Sequence, residues 1–244
     1  MRVKVTLAGL LGLQAYRWLR VATSVQRHQG HWVRRRLRPG ELSYAALGDS
    51  LAQGIGASDP ERGYVGLLAA RLERETGLGV EVVNLSATGV MIDDVTRYQV
   101  PALLALDPAP HLVTVTAGTN DAGRRDHAGI GARFDALCAA LPAGTLVADL
   151  PRFHRGRRGA AGRDAAATVR EVLRRHPHLV PVYLDEATAR SGLAARSADL
   201  YHPNDRGHRH YADLFWAALR PRLPALRRSM PSSGDRASPH RDER

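Results

Sequence analysis

Residues 43–51 read Ser43-Tyr44-Ala45-Ala46-Leu47-Gly48-Asp49-Ser50-Leu51. The first five are small, aromatic or aliphatic, and they stop at a glycine, an aspartate and a serine, which are turn formers. That is the pattern of a short buried strand entering a tight turn. Four further runs share it: Val80 to Leu85, Leu112 to Thr116, Leu146 to Asp149 and Val180 to Leu184. Near-continuous apolar runs, rather than strict alternation, predict parallel strands covered on both faces. Helical periodicity fills the intervals at Val65 to Glu75 (closed by Gly77), Ile92 to Leu106 (interrupted by Pro101), Ile130 to Leu141, Ala165 to Arg175 and Asp205 to Leu219. Strand and helix in alternation predict an α/β fold, a five-stranded parallel sheet with helices on both sides. In such sheets ligands sit beyond the carboxyl ends of the strands, so the strand-end turns are where chemistry is expected.

The chain has 244 residues, 44% hydrophobic and 24% charged, enough for one domain with a full core. A collagenous, disulfide-rich or wholly disordered protein is excluded. The formal net charge is +11, which by itself suggests a polyanionic partner. Its distribution points elsewhere. Residues 1–40 hold nine basic and no acidic side chains, and residues 221–244 hold six basic and three acidic, so residues 41–220 sit at −1. A near-neutral body with two cationic ends lacks the basic folded surface of a nucleic-acid-binding domain, and no specific nucleic acid is expected. The single cysteine, Cys138, excludes an intrachain disulfide and a Cys-based zinc site, and it lies in the apolar pattern of Phe134, Leu137 and Leu141. One cysteine fits a cytoplasmic protein, although a secreted bacterial protein can also lack disulfides.

The uncharged run from Val5 to Tyr16 is twelve residues long, short of the ~20 that a membrane-spanning helix needs. Arginines follow it without a small-x-small cleavage site, which resists export. Residues 1–40 are therefore expected to form a basic segment with a short apolar helix, either lying on an anionic membrane or packed on the body. Residues 41–222 form the expected globular domain, and 223–244, lacking apolar periodicity, an expected disordered tail.

The strand-end turns are Gly48-Asp49-Ser50-Leu51, Asn84-Leu85-Ser86-Ala87-Thr88-Gly89 and Ala117-Gly118-Thr119-Asn120-Asp121, with Asp199-Leu200-Tyr201-His202-Pro203-Asn204 before the last helix. They supply a serine, a histidine and an aspartate. A serine hydroxyl is a weak nucleophile until a base takes its proton, and that base needs a carboxylate to fix its tautomer. An aspartate three residues before a histidine reaches its ring within one turn. Ser50 could instead cap a helix, while Asp49 and Asp121 suit turn hydrogen bonds and Asn84 suits tying loops together. His202, His208 and His210 invite a metal reading, but helix positions two apart face different ways. The chain has no phosphate-binding P-loop motif and no H-E-x-x-H motif. Its Gly48-x-Ser50-x-Ala52 context is also not the nucleophile elbow of α/β-hydrolases.

Taken together these blocks resemble the SGNH hydrolases, the GDSL esterase and lipase family. Gly48-Asp49-Ser50-Leu51 matches its first block, Gly89 its second, Gly118-Thr119-Asn120-Asp121 its third and Asp199-x-x-His202 its last, all in family order. The resemblance implies a three-layer α/β/α sandwich with a flavodoxin-like five-stranded sheet. It implies Ser50 as nucleophile, His202 as general acid and base, and Asp199 as its orienter. It also implies an oxyanion hole from the Ser50 and Gly89 backbone N–H groups and the Asn120 amide, with neither metal nor cofactor. The expected reaction is hydrolysis of a small-molecule carboxylic ester or thioester through an acyl-enzyme. The alternatives are acyl transfer by the same residues, or a non-catalytic protein using its arginine-rich ends on a membrane or nucleic acid. After the fourth strand, Arg155, Arg157 and Arg158 lie in a stretch expected to be a loop (Pro151 to Gly159) at the catalytic edge. There they would favour substrates carrying phosphate or carboxylate.

Overall fold

The computed structural model describes residues 19, 23–123, 129–151, 156–185, 188 and 192–228. Five parallel strands, β1 (Leu42–Gly48), β2 (Val80–Asn84), β3 (Leu112–Thr116), β4 (Leu146–Ala148) and β5 (Val180–Val182), form one sheet in the order β2-β1-β3-β4-β5. Every strand falls on a run expected from the sequence. The order reverses between β1 and β3, which pair with Tyr44 beside Leu112 and Gly48 beside Thr116. Their carboxyl ends thus open the crevice where a ligand can enter.

Alternation along β1 divides the core. Tyr44 and Ala46 face a layer made by α1 (23–35), α2 (Ser50–Gln53), α3 (Tyr64–Thr76), α9 (Asp205–Leu219) and α10 (Leu223–Arg228). Ala45 and Leu47 face α4 (Ile92–Asp94), α5 (Val100–Leu104), α7 (Ile130–Ala140) and α8 (Gly156–Arg174). A short α6 (Thr119–Gly123) follows β3. On the first side Tyr64 and Phe215 stack at 4.7 Å, joining α3 to α9. There too the Tyr44 hydroxyl meets Thr114 Oγ1 at 2.8 Å, so this buried threonine of β3 is satisfied.

The expected helix from Ile92 to Leu106 differs in detail. A proline has no N–H to offer the carbonyl four residues back, and its ring crowds that carbonyl. The chain does not break at Pro101; it widens before it. Val95–Gln99 form a π-helical turn, closed by the Val100 N–H on the Val95 carbonyl, between α4 and α5.

Described residues on both sides of the body, within 23–40 and 223–228, contribute to the fold, and 229–244 lie outside the described residues. Trp32 and Arg35 of α1 are buried, the indole within the core layer of α3 and α9. Arg35 donates to the Val80 carbonyl at 3.0 Å and lies within 3.3 Å of Glu61 and 3.4 Å of Glu73. Part of the segment set apart by its charge as residues 1–40 is therefore packed on the body, while 1–18 and 20–22 lie outside the described residues. At the other end, where a tail is expected from residue 223, α10 runs to Arg228 with Leu223 buried. Among the described residues no helix is long and apolar enough to cross a membrane.

Candidate active site

Ser50 opens α2, one residue past the turn that ends β1. Gly48 makes this turn possible at φ +130, where a Cβ would stand 1.9 Å from the Thr116 carbonyl oxygen. Asp49 caps α2 by accepting from the Leu51 N–H at 2.9 Å, and its other oxygen accepts from the Thr119 hydroxyl. That is the turn-holding role expected of it. His202 reaches the same place from 152 residues away. It lies just before α9, whose N-cap Asn204 accepts from the Arg206 and Gly207 N–H groups. Nearby, Gly56 lies so close to the Pro203 carbonyl that a Cβ there would come within 2.2 Å of it.

The three expected side chains meet. His202 Nε2 is 3.0 Å from Ser50 Oγ, and His202 Nδ1 is 2.6 Å from Asp199 Oδ2. The other Asp199 oxygen accepts from the Ser197 hydroxyl at 2.6 Å, the Tyr201 N–H at 2.9 Å and the His202 N–H at 3.0 Å. Burial alone would raise this carboxyl, but the bonds from the His202 ring and the Ser197 hydroxyl outweigh it and hold it well below the usual carboxylate range. Asp199 is therefore an ionised acceptor at every pH of interest. Asp49 shows the opposite balance: its burial outweighs the Thr119 and Leu51 hydrogen bonds and pushes its carboxyl up to about 6.

Some functional neighbours carry no motif. Tyr201 packs edge-on against the His202 ring at 4.9 Å and donates its hydroxyl to the Thr119 carbonyl at 3.3 Å. Burial pushes that phenol up to about 12, so it remains a donor. Ser197, the second side-chain donor to the Asp199 carboxylate, could have been suspected only from its nearness in sequence.

The other strand-end residues are tied into turns at the same carboxyl edge of the sheet. Asn120, on α6, donates its amide to the Val90 carbonyl at 2.8 Å, next in sequence to Gly89. The Ala87 N–H donates to the Gly48 carbonyl at 3.1 Å, tying the loop that carries Gly89 to the Ser50 turn. Asn84 does tie loops together, donating to the Ala52 carbonyl at 2.8 Å and accepting from the Ser86 N–H at 3.1 Å. Asp121 accepts from the Ile92 N–H at 3.1 Å and lies 3.3 Å from Arg133.

Arg155 lies outside the described residues. Arg157 and Arg158 belong to the first turn of α8, so the expected loop is already helical from Gly156. The alanines that follow are strong helix formers and extend the helix toward the strand. Their side chains lie outside the described part of the structure. Of the three histidines weighed as a metal cluster, His208 is spent inside the fold, bonded to the Ile55 carbonyl at 3.1 Å and accepting from the Tyr64 N–H at 3.4 Å. Among the described residues no group of His, Cys, Asp or Glu converges as a metal site. A cavity of about 600 Å³ opens on the flank of the triad turn, lined by Gly56, Ser58, Arg196, Ser197 and Arg206 among others. The triad residues do not line it.

A parallel sheet ordered 2-1-3-4-5 between two helical layers, with serine, histidine and aspartate joined at its carboxyl edge, defines the class of SGNH-type α/β/α folds. Residues 46–210 match the model of the GDSL-like Lipase/Acylhydrolase family, and the chain belongs to that family of hydrolases. Solved structures share the fold at low identity. A family 3 carbohydrate esterase from Clostridium thermocellum superposes with a TM-score of 0.61 at 18% identity, covering 76% of this chain and 98% of that one. The psychrotrophic esterase EstA from Pseudoalteromonas sp. gives 0.56 at 22% identity, over 75% and 98%. Axe2, an acetylxylan esterase from Geobacillus stearothermophilus, gives 0.53 at 18% identity, over 73% and 94%. No curated protein sequence matches the chain significantly.

Proposed function

We propose that the protein hydrolyses carboxylic esters or thioesters through an acyl-enzyme formed on Ser50. The observation that carries this reading is the unbroken hydrogen-bond chain Ser50–His202–Asp199. As Ser50 Oγ attacks the carbonyl carbon, its proton passes to His202 Nε2, and the Asp199 carboxylate stabilises the imidazolium through Nδ1–H. Negative charge develops on the carbonyl oxygen. The Ser50 and Gly89 N–H groups and the Asn120 amide are its donors, since an amide nitrogen carries two N–H bonds and Val90 takes one. When the tetrahedral intermediate collapses, the carbon–oxygen or carbon–sulfur bond breaks and His202 returns its proton to the leaving group. Water then repeats the sequence on the acyl-serine, with His202 again base and then acid. The esterases among the structural neighbours favour oxygen esters as the first substrates to try.

The test is a series of p-nitrophenyl acyl esters of graded chain length together with a fluorophosphonate probe. Wild-type protein turns over at least one ester and takes the label, and Ser50→Ala does neither. Labelling of Ser50→Ala at the wild-type rate would remove Ser50 from the mechanism.

A further inference from the structure

At Gly48 the edge of β1 that faces β2 lacks a main-chain acceptor for its N–H. The ladder between them ends at Ala46 beside Asn84, after which the Leu85 N–H reaches the Ala46 carbonyl and the Ala87 N–H the Gly48 carbonyl. The missing acceptor comes from a side chain. Gln99 Oε1 accepts from the Gly48 N–H at 2.7 Å, and Gln99 Nε2 donates to the Gly48 carbonyl at 3.0 Å. A side-chain amide thus stands in for the next peptide of β2.

Resting on the hydrolase reading above, we infer that Gln99 is a positioning residue for the reaction, gripping Gly48 and through it setting the nucleophile and two oxyanion donors. The peptide between Gly48 and Asp49 is held at both ends, its carbonyl by Gln99 and Ala87 and its N–H by the Thr116 carbonyl at 3.1 Å. The next peptide carries the Ser50 N–H. The Gly48 carbonyl is also where the loop bearing Gly89 is anchored, so one amide fixes the spacing between the two backbone donors. Donors of this kind act through preorganisation, and small displacements are costly.

The cost of placing Gln99 there shows that the grip is specific. It is buried, and its segment otherwise turns Val95, Val100 and Leu103 into the core. An amide in such a layer is retained only with its bonds made. Gln99 ends the π-turn that precedes Pro101, and this turn packs against β1 while Val100 and Leu103 keep their apolar contacts.

The test uses the full chain with Gln99→Met, which keeps length and removes both bonds, and Gln99→Glu, which keeps the acceptor. Readouts are kcat and KM on p-nitrophenyl acetate, the fluorophosphonate labelling rate, and thermal unfolding. For Gln99→Met, kcat and labelling rate fall together by about ten- to a hundredfold while KM moves less than about threefold, with Gln99→Glu in between. A kcat within twofold of wild type, whatever the change in melting temperature, overturns the positioning role, as does an effect on KM alone. Loss of the fold in both variants overturns it too, by making the bracket a condition of folding. Wild-type protein that neither turns over esters nor takes the label removes the hydrolase reading, and the role of Gln99 with it. Active wild type with an equally active Gln99→Met removes only the latter.

Discussion

The indole N–H of Trp32 donates to the carbonyl of Gln53 at 3.0 Å, joining a helix from the basic amino end to the short helix that begins with Ser50. Trp32 is 3% exposed and belongs to the same core layer as Tyr64 and Phe215. Trp32→Ala therefore costs about 3–5 kcal/mol, whereas Trp32→Phe, which keeps most of the packing, costs about 1 kcal/mol for the lost hydrogen bond. Deleting residues 1–40 removes Trp32 and Arg35 together, and the product fails to give a cooperative unfolding transition. Urea denaturation of the three proteins checks this. A truncated chain as stable as wild type would show that α1 contributes no net stability.

Asp199→Asn leaves the turn intact, because an amide oxygen can still accept from the Ser197, Tyr201 and His202 donors. It removes the charge that stabilises the imidazolium. Turnover of an ester found to be a substrate falls by about 10³–10⁴, with the melting temperature changed far less than the rate. Steady-state kinetics beside a thermal melt separates the two effects. A loss below tenfold would mean that His202 does not depend on this carboxylate.

Burial of His208, only partly opposed by its bond to the Ile55 carbonyl, lowers its pKa to about 4 from an ordinary 6.5. Between those values the unfolded chain binds a proton that the folded chain refuses, so unfolding takes up a proton and stability falls as pH drops. The contribution is fully present above pH 6.5 and lost progressively down to about 4. His208→Gln offers an acceptor to Tyr64 and a donor to Ile55 without titrating. It flattens this part of the pH dependence by on the order of 3 kcal/mol between pH 8 and pH 4, at some cost in stability at pH 8. Urea midpoints at pH 8, 6, 5 and 4 give the slope, and equal slopes for the two proteins would assign acid sensitivity to other groups.

Leu200 sits between Asp199 and Tyr201 at φ 61 and is the one non-glycine residue with positive φ among the described residues. The left-handed conformation lets the Asp199 carboxylate collect the Tyr201 and His202 N–H groups, but it strains a leucine. Its side chain is 53% exposed, so little burial is lost on replacement. Leu200→Asn, a residue that tolerates this region, stabilises the fold by about 0.5–1 kcal/mol and raises the melting temperature by roughly 1–4 °C. Calorimetry decides the sign, and a lowered melting temperature would mean that the leucine makes contacts worth more than the strain.

What could be read from the chain is what is encoded over a few residues. The five strands are readable as apolar runs closing on turn formers, and α9 begins where Asn204 caps it. Asp199 and His202 are three residues apart, so their pairing was readable as local geometry, and motif order linked them to Ser50. Periodicity also marked a disturbance at Pro101. It could not show that the helix widens rather than stops, since that depends on what the displaced residues pack against. Contacts across the sheet left no local trace. Gln99 grips Gly48 from 51 residues away, Thr119 reaches Asp49 across 70, and Trp32 is buried against α2 although the arginine triplet Arg34 to Arg36 follows two residues later. A run of charge reports the solvated face of a helix and is silent about the face that packs. Strand register and helix rotation decide which distant groups meet, and those are settled only when the whole core closes, because each depends on the volume and direction of side chains contributed by every other element.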